Sequence, residues 1–93
     1  MEGCLEHKTQ RSDAGIRAEE RRAFALLRSS AGRRAFGRGE RAWLGYREAT
    51  CSAEASQFQG GSIRPVIFGA CVADANRAHL ESLTAIVANI APH

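Results

Sequence analysis

The stretch "RAWLGYREATCSAEASQFQGGSIRPVIFGAC", Arg41–Cys71, contains the chain's single Trp, its single Tyr and two of its three cysteines. Its reading decides the fold. Trp43, Tyr46, Arg47, Thr50 and Cys51 recur at three- and four-residue spacing, the pattern of one helical face. A helix over about 40–57 follows, its start blurred because Gly37 and Gly39 each cost about 1 kcal/mol against Ala inside a helix. Gly60-Gly61-Ser62 breaks that helix, and Pro65 suits the first position of the next. Ile67, Ala70, Cys71, Asp74 and Ala78 open a second stripe, which Leu80, Leu83, Ile86, Val87 and Ile90 continue until Pro92 stops it. The two segments make an antiparallel helical hairpin that turns at about 59–64.

Toward the N-terminus, Ile16, Glu20, Ala23, Phe24, Leu27 and Ala31 share a helical spacing. A helix over about 14–31 is expected there, with Ser12 and Asp13 as N-cap residues and Gly32 as its stop. Residues 1–12 are polar and aperiodic and read as a flexible arm, which leaves 13–93 as the folded domain. "PVIFGAC" is too short to stand as a strand and merges with the helix after it. The fold class is therefore all-α, a small three-helix antiparallel bundle.

Ninety-three residues make one domain near the lower limit of what an unaided core supports. The expected core is thin: Phe24, Leu26, Leu27, Phe36, Trp43, Leu44, Phe58, Ile67, Leu80, Leu83, Ile86 and Ile90. All but one of the 13 basic residues are arginine, and the net charge is +3. In "GIRAEERRAFALLR" these arginines alternate with Glu and Ala, as on a solvated helix face, so no nucleic-acid partner is expected. No run of about 18 apolar residues is present, so no membrane span is expected.

In the hairpin, Cys51 lies about two turns before the bend and Cys71 about two turns after it, so the two come level. Packed helix axes allow the Cα separation of about 4.4–6.8 Å that a disulfide needs. A bond there would stabilise a thin core by about 3 kcal/mol in the chain-entropy picture. Two readings stand beside it: a pair of buried free thiols, and zinc held by a set drawn from Cys4, His7, Cys51, Cys71 and His79. No CxxC pair anchors the zinc reading, and no metal or cofactor is expected. Cys4 has no evident partner.

Three segments, "ERAWLGYREATC", "GGSIRP" and "CVADANRAHLESL", resemble the lysozyme inhibitor LprI-like N-terminal domain family of bacterial envelope proteins. Trp43, Tyr46, Arg47, Glu48, Cys51, Gly60, Gly61, Ser62, Cys71 and Leu83 fall in register with its pattern, over 40–83. The chain departs from it at Glu40, Asn76 and His79, where the pattern has Gln, Thr and Arg. The resemblance implies an exported, periplasmic or envelope domain. It also implies that Met1 is an internal methionine, with a signal peptide and the partner of Cys4 upstream; with Met1 as the true start, the protein would be cytoplasmic.

Trp43 and Tyr46 are expected in the core, and Arg47 on the inner face pairing with Asp74 of the facing helix. His7 and His79 have no nucleophile or carboxylate at triad-like spacing, and Gly60-Gly61-Ser62 lacks a phosphate-loop Lys, so no enzyme is expected. The resemblance instead implies protein binding with a lysozyme as partner. The loop "QFQGGSIRP" is the contact element, through Ser62 and Arg64. A structural or stress-related envelope protein without inhibition, and a small cytosolic Arg-rich nucleic-acid binder, are the alternatives.

Overall fold

The computed structural model describes residues 2–58 and 60–92, with side chains from Arg11 onward. It has three helices: α1 (Glu2–Leu26), α2 (Ser30–Ala55) and α3 (Ile63–Ile90). α3 is the most apolar of the three, and the other two pack against it. α1 and α2 scarcely touch each other. Asp13 meets Asn76 and Gly15 meets Leu80, so α1 runs parallel to α3, while α2 runs antiparallel to both. The molecule is elongated, measuring 50 × 22 × 14 Å.

The helix boundaries correct five expectations. The expected arm is helical from Glu2, because its Glu, Leu, Lys, Gln and Arg residues are good helix formers with no Pro among them. Ser12 and Asp13 therefore lie inside α1 and do not cap it. α1 ends at Leu26, and Gly32 belongs to α2, donating its N–H to the N-cap hydroxyl of Ser29 at 2.9 Å. Arg33 of α2 closes the end of α1 by donating Nε to the carbonyls of Leu27 (2.8 Å) and Phe24 (3.2 Å). α2 runs through Gly37 and Gly39, and Pro65 is the third residue of α3, still within the turn where a missing N–H costs nothing.

The core is smaller than expected. Ile16, Ala23, Cys51, Ala55, Val72 and Leu83 are buried among the described residues, whereas Phe24, Leu44, Phe58 and Ile86 are exposed. Trp43 is half-buried, and Tyr46 is 65% exposed. Trp43, Arg47 and Cys51 follow the contact line with α3, and Tyr46 sits about 100° around the helix from Arg47. With α1 lying on the other side, nothing covers Tyr46. Small residues at the helix contacts let the backbones approach closely, and the disulfide between Cys51 and Cys71, with Cα atoms 5.5 Å apart, locks α2 to α3.

Candidate functional site

Beside the disulfide the interface turns polar. Arg47 is 8% exposed, and its guanidinium donates to Asp13 of α1 at 3.0 Å, Asn76 of α3 at 2.8 Å and Glu48 at 2.7 Å. Asn76 is fully buried and donates in turn to Ser12 at 3.0 Å and Asp13 at 2.8 Å. One cation thus joins all three helices, consistent with the rule that buried charge must be paired. Burial works against the charge of Arg47, but the hydrogen bonds it donates to Glu48 and Asp13, with their negative charge, outweigh it and raise its pKa. Asp74, the expected partner, points away and pairs with Arg77 in solvent. The guanidinium lies 5.3 Å from the Trp43 ring centre, and its Nε has no hydrogen-bond partner among the described residues.

Trp43 also carries His79, stacked on it at 3.7 Å and 8°. His79 Nε2 lies 2.8 Å from Glu40 Oε1, and Glu40 is hydrogen-bonded to Glu20 of α1. Burial lowers the His79 pKa, against the pull of Glu20, so at neutral pH the imidazole is uncharged and donates to Glu40. Burial, followed by the hydrogen bond and charge of Glu40, raises Glu20 to about 7. Glu20 therefore keeps its proton well above the ordinary carboxyl range. Glu40, Asn76 and His79, the three departures from the family pattern, all lie in this seam.

Glu20 and Glu40 also line a groove of about 830 Å³ between α1 and α2. Its walls include Ile16, Phe24, Phe36, Trp43 and Leu44, with Arg17, Arg21 and Arg41 among its lining. It exists because α1 and α2 each pack on α3 and leave the space between them open. Sequence reasoning missed both the groove and Glu20. The only signal for Glu20 was a carboxylate on the apolar stripe of α1.

The raised pKa of Glu20 makes stability depend on pH in the sense opposite to a paired carboxylate. Folding raises the Glu20 pKa from the ordinary 4.5 to about 7, so the folded chain binds the extra proton between those values. That contribution is complete below the lower value and is lost as pH rises through the upper one. The wild-type melting temperature relative to Glu20→Gln, followed by circular dichroism, should fall steadily from pH 4.5 to 7. Parallel pH curves for the two proteins would contradict the raised Glu20 pKa.

At the far end of the hairpin lie the tip residues. Gly60 has φ +112°, a conformation that L side chains rarely adopt, and Gly61 and Ser62 follow it exposed. Ser62 is the N-cap of α3 but makes no side-chain cap bond. Arg64 is exposed and donates Nε to the carbonyl of Phe58 at 2.6 Å, which closes the turn. The structure brings Cys51 and Cys71 together and joins Trp43 to Arg47, but it places Ser62 and Arg64 at the opposite end of the hairpin from the groove. The Cys4 and His7 side chains of the zinc reading lie outside the described residues, and the bond between Cys51 and Cys71 takes both thiols out of it.

Three helices, two of them joined by the Cys51–Cys71 disulfide, with a Trp–Arg–Cys face on the central contact, define a small stapled α-helical domain. The chain belongs to the LprI family: the family model described as "Lysozyme inhibitor LprI" matches residues 1–83, which cover α1, α2 and most of α3. No curated protein and no solved structure matches the chain.

Proposed function

We propose that this protein is a non-enzymatic, protein-binding domain of the bacterial cell envelope that inhibits a lysozyme by seating its hairpin tip in the enzyme cleft. Membership of the inhibitor family over 1–83 carries the reading. The disulfide supports an oxidising compartment such as the periplasm. No helix among the described residues is long and apolar enough to cross a membrane.

The tip suits a cleft. It is narrow, it is clamped by the disulfide behind it, and its turn is fixed by Gly60 and the Arg64–Phe58 bond, so little conformational freedom is lost on binding. Muramidases work with a pair of carboxyl groups, and a guanidinium matches a carboxylate in geometry and charge. Arg64 supplies that group, with Ser62 beside it. The net charge of +3 gives no long-range steering toward a basic lysozyme, so affinity rests on short-range contacts.

Residual muramidase activity against concentration of the oxidised protein tests the proposal. Wild type should inhibit, and Arg64→Glu should abolish inhibition by setting like charges face to face. The substitution also removes the exposed Arg64–Phe58 hydrogen bond, so it should lower stability by about 1 kcal/mol at most and leave the domain folded. A wild type that inhibits no lysozyme class would leave a scaffold-only envelope protein. Inhibition by Arg64→Glu equal to wild type would move the contact away from the tip.

A further inference from the structure

We propose that Glu20, Glu40 and His79 form a binding site for one divalent transition-metal ion, zinc being the best match, that ties α1, α2 and α3 together at the groove. The site uses none of the tip residues and stands or falls independently of lysozyme inhibition. Each helix contributes one donor, and the donor atoms all lie within 4.8 Å of one another. Tetrahedral zinc with bonds of about 2.0–2.1 Å needs its ligand atoms about 3.3 Å apart. His79 Nε2 and Glu40 Oε1, at 2.8 Å, are already closer than that, so the ion enters by parting them slightly and drawing Glu20 inward. Glutamate has the rotatable bonds for such an adjustment, and two oxygens from which to choose.

The imidazole is better prepared. Stacking on Trp43 at 3.7 Å and 8° fixes the ring plane, and the His79 side chain is only 12% exposed. Glu40 is similarly sheltered at 15%, yet both carboxylates border the groove, which gives an ion its entry path and leaves room for a water as fourth ligand. One nitrogen and two carboxylate oxygens suit zinc, whereas magnesium and calcium prefer all-oxygen sites. With the Glu20 proton released as the ion enters, two carboxylates and a neutral imidazole balance a divalent charge. The ion would strengthen the link between α1 and α2, whose backbones scarcely approach each other.

Trp43, the only tryptophan, sits against His79 and reports on the site. Cobalt(II) titrated into the full, oxidised chain should quench Trp43 fluorescence saturably at one ion per chain, and zinc should displace it and raise the melting temperature. Magnesium should do neither. Glu20→Gln and Glu40→Gln keep the shape and hydrogen-bonding capacity of the site, and their metal-free melting curves show that they fold. Each should weaken cobalt and zinc binding at least as much as the roughly tenfold that even outer-shell changes cost. Absence of saturable quenching up to millimolar cobalt overturns the proposal, as does wild-type affinity in both variants.

Discussion

Replacing both Cys51 and Cys71 with Ser is expected to lower the stability of the folded chain by about 2–5 kcal/mol, as loss of a native bridge usually does in a small domain. Several features place the result toward the upper end of that range. The bond spans 20 residues of chain, which includes the whole turn, so its removal frees a sizeable loop in the unfolded state. Cys51 is also 1% exposed and belongs to a core with few large side chains, so each serine puts a hydroxyl where sulfur was packed. Urea unfolding of oxidised wild type, reduced wild type and the double variant measures the effect. Reduced wild type should approach the double variant, leaving a smaller difference that reports the packing of sulfur itself. Equal midpoints for oxidised and reduced protein would mean that the helices hold together without the bond.

The second large effect is expected at Arg47. Arg47→Met should cost about 3–5 kcal/mol, because removing one partner from a buried ionic contact leaves the others unpaired. Asn76 is fully buried and its Oδ1 loses the donor that satisfied it, while Asp13, largely covered, loses its cation and keeps only the bond from Asn76. The contact to Glu48 has a different weight. Its carboxylate is 49% exposed and can turn to water, so Glu48→Ala should cost no more than about 1 kcal/mol despite the shorter distance. Burial and not bond length sets the order. Chemical denaturation at neutral pH of the two variants tests this, and equal losses would place the energy of Arg47 in its surface contact. Pairing Arg47→Met with Asn76→Leu should recover part of the loss, since the stranded amide is then removed as well.

The fold class was legible because helical periodicity is local: Trp43, Arg47 and Cys51 announce a face, and Gly60-Gly61 announces its end. The pairing of Cys51 with Cys71 followed from counting turns along a hairpin. Boundaries were less legible. Gly32 resembles a helix stop, but Ser29 upstream captures its N–H and makes it the first turn of the next helix. The N-terminal arm lacked an apolar stripe, yet its residues propagate a helix begun on firmer contacts at Ile16 and Ala23. The partner of Arg47 was missed for a physical reason. Asp74 and Asn76 are two residues apart and face different sides of α3, and only the position of α1 decides which side is buried. Glu20, Glu40 and His79 come from three helices, so no local pattern could unite them.

The parallel pairing of α1 with α3 bears on the order in which the molecule assembles. Contacts within the hairpin close over short stretches, 20 residues for the disulfide and 29 for Arg47 with Asn76. Those that dock α1 span 63 and 64 residues, from Asn76 back to Asp13 and Ser12. Long-range contacts form late because the chain must first be drawn together. Of the three helices, α1 is then the last to be seated. It finds little to hold on α2, and its apolar stripe at Ile16 and Ala23 stays open until α3 is in place. A folding chain with such an open face is exposed to misassociation until that step. The central position of α3 thus makes the C-terminal third of the chain the template on which the rest is closed.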